Sequence, residues 1–218
     1  MKVSNLYTLL TKLGSLFILN LLFLISNLPL FILFLLIPFS LEHILFFFLA
    51  SLTLGPSITA LQATVGRYLR EQDWTIWKTY FNDYRQNFRQ AFLLGLIFLT
   101  LFTVIFVDIL FHLEKGNGIM MLGMGLLLIL VMMVYLGQSA VLGRFEMKFI
   151  NLMKIAPYIM YRHFPRLFLS ASSLMILLAA LYYLPSIAVL VGFALCGYLM
   201  MKELNKMLKN LAKEFQIE

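Results

Sequence analysis

The chain has 218 residues, of which 62% are hydrophobic and 12% charged, with a formal net charge of +7. A soluble domain carries about twice that share of charge, and a chain this short has too much surface for its volume to hide so much apolar area from water. A water-soluble globule is excluded, and the basic balance does not signal nucleic acid, because long charge-free runs alternate with short basic ones as in a polytopic helical membrane protein.

Five runs lack Asp, Glu, Lys and Arg: Leu13–Leu41, Ile44–Gly66, Gln90–Val107, Gly116–Gly143 and Leu167–Met201. A spanning helix takes about 20 residues at 1.5 Å each. The first four runs each supply one span. The fifth has 35 residues with Pro185 at its middle, so it is expected to form two short spans joined by a turn at Pro185-Ser186. The expected architecture is an all-α bundle in one integral membrane domain, residues 1–218, with about six spans near 14–38, 44–66, 90–108, 118–143, 167–184 and 186–203. The runs are continuously apolar and do not alternate, which argues against a barrel. The basic start, Lys2 and Lys12, leads into a run too long for a signal-peptide core, and it is read as the first span.

Polar residues interrupt these spans. Asn20 and Asn27 lie seven apart on nearly one face of the first, and Pro29 is expected to kink it. Gly55-Pro56-Ser57 breaks the second, which continues through Thr59, Gln62 and Thr64; Gln138 sits near the end of the fourth. Polar groups in hydrocarbon seek partners, so Asn20, Asn27, Ser57, Thr59, Gln62 and Gln138 are expected to bond between helices. The functional alternative is a polar pathway for a small solute, since interrupted helices form binding sites in transporters.

Between the second and third spans, WTIWKTYFNDYRQNFRQ places Trp74, Trp77, Phe81, Tyr84 and Phe88 on one wholly aromatic helix face. Asp73 is placed to cap this helix. Near 74–90 it is expected to lie in the headgroup layer with Arg85 and Arg89 on phosphates, or to offer a docking surface. A second interfacial helix is expected near 148–164, with Phe149, Leu152, Met153, Ala156 and Met160 as its apolar stripe and Arg144-Phe145 leading into it. Pro157 is expected to kink it, and Pro165 to mark the turn into the next span.

The block Ala63-Thr64-Val65-Gly66-Arg67-Tyr68 recurs as Ala140-Val141-Leu142-Gly143-Arg144-Phe145, offset by 77, and Asn87-Phe88 pairs with His163-Phe164, offset by 76. These matches suggest a parallel repeat of span, surface helix and span. Ala188-x-x-x-Gly192 marks close packing, within the bundle or between subunits. After it an amphipathic tail carries Leu204, Leu208, Leu211 and Phe215 on one side.

With the N-terminus assigned to the cytoplasm, 16 of the 17 basic residues fall on the inner side, and only Lys115 faces out. A multi-pass protein of the cell membrane with both termini cytoplasmic is expected. Its first partner is the bilayer with its anionic headgroups.

Chemistry is sparse. Cys196 is the single cysteine, which leaves no disulfide and no multi-cysteine metal site. Asp108, Glu42 and His43 sit at span ends, and no ionisable residue lies near a span centre, which weakens proton-coupled transport. No catalytic, cofactor-binding or metal-binding set is expected, and the chain is read as a non-enzyme.

The chain resembles the YesL-like family of small bacterial membrane proteins. The features that carry this are Asn20-Leu21-Leu22, Gly55-Pro56-Ser57 with Thr59-Ala60-Leu61, Phe81-x6-Asn87-Phe88-x-Gln90-Ala91 and Arg144-Phe145. Ser57 stands where that family commonly has alanine, and Pro157 is a second departure. The resemblance implies an accessory role in carbohydrate uptake, with a sugar ABC transporter, another membrane protein or a second copy of the chain as partner. The alternative expectation is a small transporter or channel-like protein.

Overall fold

A computed structural model describes residues 2–71 and 76–215, with side chains described from Thr11 onward. In hydrocarbon each backbone N–H and C=O must be satisfied within the protein, so charge-free runs of this length fold as helices. They form α1 (Lys2–Ser26), α2 (Leu28–Leu36), α3 (Ile44–Ala50), α4 (Leu54–Glu71), α5 (Ile76–Glu114), α6 (Gly118–Leu142), α7 (Phe149–Tyr183), α8 (Pro185–Ile187) and α9 (Phe193–Phe215). Short 3-10 turns join α3 to its neighbours, and a π-turn, Ala188–Gly192, joins α8 to α9. Among the described residues, five units are long and apolar enough to cross a membrane: Leu41–Glu71, Ile76–Glu114, Gly118–Leu142, Phe149–Tyr183 and Pro185–Phe215. The pair Thr11–Ser26 and Leu28–Leu36, bent by 71°, makes a sixth if it counts as one span. The molecule is a multi-pass, all-α membrane bundle.

Of two expected boundaries, one does not exist as a break and the other is a kink. The interfacial helix of 74–90 and the span from 90 are one helix, because α5 runs for 39 residues without interruption at Gln90. The boundary there is one of charge, and nothing in Arg89-Gln90-Ala91 disfavours helix. By contrast 148–164 and the following span, together the 35-residue α7, are two helices joined across a kink at the expected boundary. Pro157 lies inside α7 without breaking it, and the non-helical residue is His163 (φ −123°, ψ 23°), two before Pro165. Pro165 has no N–H to donate and its ring crowds the preceding turn, so the helix kinks rather than ends. At 1.5 Å per residue α5 is about 58 Å long, roughly twice the hydrocarbon core.

The first segment is arranged differently from a simple span. Pro29 stands at the start of α2, where it removes an N–H and disfavours helix at Leu28, so α1 stops at Ser26. α4 and α9 run parallel, with Leu61 against Gly197 and Asn205 bonded to the Gly66 carbonyl. In that register Val189–Ala194 sits level with Thr53–Ile58. Asn20 bonds the first stretch and Asn27 bonds Ser57 and Thr53. Two turns of α1 therefore meet one level of the bundle, and α1 lies across α4 and α9 rather than along them.

α4 and α5 form an antiparallel hairpin and α6 and α7 a second one. In each, a span is followed by a longer helix. Residues offset by 77 meet where the hairpins touch: the Ser139 hydroxyl donates to Gln62 Oε1 at 2.7 Å. The α4–α5 crossing is backbone on backbone, since a methyl group on Gly55 would lie 2.6 Å from the Ala91 carbonyl oxygen and 2.9 Å from Cα of Gly95. The core continues past the charge-free runs into the basic end. There Tyr80, Leu152, Ile159, Leu204, Met207, Leu208 and Leu211 are buried, so the tail is packed into the bundle as part of α9.

Candidate functional site

The basic end is built from the last turns of α4, the first third of α5, the start of α7 and the end of α9. On α5 the buried line is Ile76, Tyr80, Asp83, Ala91 and Leu94, with helical spacing. Asp83 is only 2% exposed and accepts from Arg67 Nη2 at 2.9 Å. Thr64 Oγ1 approaches its second oxygen at 3.4 Å. Tyr80, fully buried, donates to Ser26 Oγ at 3.1 Å and so ties α5 to the end of α1. Farther out, Gln86 bonds Glu146, and Tyr158 bonds Glu214 of α9. The Asp83, Tyr80 and Gln86 links hold one face of the overhanging α5 against the bundle, and the Tyr158–Glu214 bond ties α7 to α9.

The adjoining face, about a quarter turn round the helix, carries the aromatic residues, and Tyr80 touches both Phe81 and Tyr84 of it. Trp77 is 57% exposed, Phe81 44% and Phe88 42%; Tyr84 is half-buried between the rings of Tyr80 and Phe88. Arg85 and Arg89 are exposed beside them. Phe88 stacks on Phe92, which extends the stripe toward the span. Trp74 and Asp73 lie outside the described residues. Two members of the expected surface sit elsewhere: Phe145 is 5% exposed and belongs to the core, with the half-buried Arg144 guanidinium 5.2 Å from its ring centre. That correction has a simple cause, because the turn after α6 folds back under the bundle. In the second amphipathic segment Leu152, Ile159, His163 and Leu167 are buried, and Phe149, Met153 and Met160 of the expected stripe pack half-buried against the core beside them.

The intramembrane polar residues are sealed in packing. Asn20, Asn27, Ser57 and Gln62 are 0% exposed, and Thr59 and Gln138 are 1% exposed. Asn20 Nδ2 donates to the carbonyls of Val189 and Leu190 at 2.8 and 2.9 Å, and its Oδ1 accepts from Ala194 N–H at 3.1 Å. Asn27 Nδ2 donates to Ser57 Oγ at 2.8 Å. Ser57 in turn donates to the Thr53 carbonyl at 2.7 Å, and Thr53 Oγ1 donates to Asn27 Oδ1 at 3.1 Å. Gln138 Nε2 donates to the Leu152 carbonyl at 2.8 Å. Thr59 differs from expectation, since it donates to Gly55 in its own helix. The two asparagines that motivated a polar pathway are thus consumed by helix contacts. Among the described residues no three of His, Cys, Asp and Glu gather to hold a metal ion.

An apolar cavity of about 460 Å³ lies in the membrane-spanning part, away from the basic end. Its wall includes Phe39, Phe47, Leu54, Phe102, Phe106, Met132, Tyr135, Leu177 and Phe193. Neither Asn20 nor Asn27 lies on it.

Several of these residues escape a reading of the sequence. Asp83 looks like one more surface charge among Lys78, Arg85 and Arg89; its signal is its place off the aromatic stripe, three residues after Tyr80. Gly95 sits in a charge-free run with nothing to mark it as the contact for Gly55.

A family model described as "Protein of unknown function, DUF624" matches residues 16–109. That stretch runs from α1 through most of α5. It holds the Asn20, Gly55-Pro56-Ser57 and Asn87-Phe88 features, is consistent with the resemblance they carry, and leaves the second hairpin unmatched. No curated protein and no solved structure matches the chain.

The Asp83–Arg67 pair gives a stability prediction. Removing Arg67 strands a buried carboxylate, which costs about 3–5 kcal/mol in a fully buried pair. Arg67 is 39% exposed, so solvent screening lowers the expected cost of Arg67→Ala to about 2–3 kcal/mol. The double variant Arg67→Ala/Asp83→Asn is expected to recover more than half of that loss, because the stranded charge is gone. Thermal unfolding of the purified protein in mild detergent reads both, and equal stability of all three proteins would contradict the anchoring role.

Proposed function

We propose that this chain is a non-enzymatic membrane accessory protein. Its basic end faces the cytoplasm and presents the α5 aromatic stripe to a membrane partner. The observation that carries this reading is the two-sidedness of the overhang. One face is locked by Tyr80 and Asp83, and the face adjoining it leaves Trp77, Phe81 and Phe88 more than two-fifths exposed. Because α5 has no elbow at Gln90, a helix continuing along the span carries Trp77 roughly 20 Å beyond the level of Gln90 at 1.5 Å per residue. At that distance Trp77 leaves the headgroup layer, while Phe88, about 3 Å beyond Gln90, stays within it, and exposed aromatic patches in water mark interaction sites. Trp, Tyr and Arg are also the residues that dominate interface energetics. The cytoplasmic orientation is supported by the distribution of basic residues. The partner proposed is a membrane component of a carbohydrate uptake system of the ABC type, with support from the family resemblance. The sealed asparagines leave the transporter alternative with only the interrupted second span to motivate it.

Two measurements test this reading. Co-purification in mild detergent is expected to retrieve a membrane partner with the wild-type chain. The Trp77→Ala/Phe81→Ala/Phe88→Ala variant is expected to retain less than a tenth of it while keeping its thermal midpoint within a few degrees. Recovery of the wild-type protein alone, or full retention by the variant, would contradict the docking role. Orientation is read by single cysteines in a Cys196→Ser background. A membrane-impermeant maleimide is expected to label Ser186→Cys in intact cells and to leave Lys213→Cys silent until the membrane is opened; the reverse pattern would invert the assignment.

A further inference from the structure

The cavity between the spans carries an inference independent of the docking face. Its volume, about 460 Å³, is in the range of sites that enclose a small molecule. Its wall is aliphatic and aromatic, drawn from α3 through α7 and α9 with Phe23 of α1. Two of its residues, Phe39 and Leu178, are more than half exposed on the outer surface of the bundle, at 51% each. The cavity therefore reaches a surface that hydrocarbon covers. Apolar cavities exclude water, and the material at this mouth is lipid chain.

The few polar groups on the wall refine the ligand. Thr103 is satisfied by the Leu99 carbonyl and Cys196 by the Ser173 carbonyl. The Ser51 hydroxyl, on the same wall, has no side-chain hydrogen bond among the described residues, and Tyr135 shares that feature in a more buried setting. It is 6% exposed, its ring packs against Phe98 and Phe102, and its hydroxyl has no hydrogen-bond partner among the described residues. That hydroxyl is also not among the side-chain atoms sealed from all space without a partner, so its free surface is on the cavity. A hydroxyl kept without a partner in an apolar chamber is costly unless a ligand supplies one.

We propose that this cavity is a lipid-chain site. It takes one hydrocarbon chain of a membrane lipid from the surrounding bilayer, entering between Phe39 and Leu178, with an oxygen of that lipid accepting a hydrogen bond from Tyr135. The site is lined by seven helices, α1, α3, α4, α5, α6, α7 and α9, so occupancy couples the first segment to the two hairpins.

The test combines retention and photolabelling. Wild-type protein purified in mild detergent with extensive washing is expected to carry close to one equivalent of lipid, counted by native mass spectrometry and by extraction. Thr103→Trp and Leu174→Trp, each placing a large ring on the wall, are expected to lower retention at least tenfold. Leu126→Trp, on the outer surface and 56% exposed, is expected to leave it unchanged. Tyr135→Phe keeps the volume and removes the hydroxyl, and retention is expected to fall several-fold. In phosphatidylglycerol vesicles containing a lipid with a diazirine in its acyl chain, wild-type crosslinks are expected on 99–106 and 174–181. Crosslinks confined to outer surface residues, wild-type protein that washes free of lipid, or wall-filled variants that hold as much as wild type would each overturn the site. Undiminished retention by Tyr135→Phe would overturn the assignment of the hydroxyl. Should a tryptophan variant fail to fold, Tyr135→Phe and the crosslink map remain decisive.

Discussion

A helix in hydrocarbon satisfies its own backbone, and any interruption leaves amides and carbonyls that no water can reach. Three of the helix interruptions among the described residues lie where α1 meets the bundle, and beside each a buried side chain is hydrogen-bonded. The π-turn Ala188–Gly192 loosens the start of α9, and Asn20 bonds two carbonyls and an N–H there. The break between α1 and α2 falls at Asn27, whose amide joins Ser57 and Thr53 at the Gly55-Pro56 entry to α4. The three interruptions sit at one level of the bundle, so α1 acts as a bar across α4 and α9. Irregular backbone at this depth is tolerated because it is buried in protein.

The rest of the architecture follows from that fixed level. Once α4 is placed, the contact of Gly55 with Gly95 sets the crossing of α5, and the Gln62–Ser139 bond sets α6 beside α4. The long helices then overrun the membrane at the basic end, where packing changes from lipid-facing to water-facing. Leu204, Met207, Leu208 and Leu211 keep α9 in register with Leu152 and Ile159 of α7. The Asp83–Arg67 pair and Tyr80 do the same for α5. A helix gripped on one side leaves the adjoining side as a rigid surface, and the aromatic stripe is that surface.

The class of the fold was legible because hydrocarbon demands long charge-free runs, and five such runs stand out in the chain. The polar residues worth noticing were also legible, since Asn20, Asn27, Ser57, Gln62 and Gln138 interrupt those runs. Their partners were not. A carbonyl at Val189 or Leu152 has no signature in the residue that bears it. The continuity of α5 was hidden because charge ends at Arg89 while helical geometry does not. Asp83 and Gly95 were hidden because burial depends on what crosses the helix. The cavity has no local signature, being assembled from elements spread between Phe23 and Met200. Trp77, Phe81 and Phe88 were read correctly as one face, and the structure adds that it is the unoccupied one.

The central claim is that the buried asparagines complete broken backbone and are not merely tolerated polar residues. The sign of one substitution decides it. Leucine has nearly the branching of asparagine and is much preferred in a membrane, so Asn20→Leu stabilises the protein if Asn20 does nothing. The account predicts the opposite: three hydrogen bonds at about 0.6 kcal/mol each are lost, and stability falls by about 2 kcal/mol. Equilibrium unfolding of the wild type and Asn20→Leu in the same bilayer-mimetic micelle measures the difference. A lower stability for Asn20→Leu supports the account, and an equal or higher stability would contradict it.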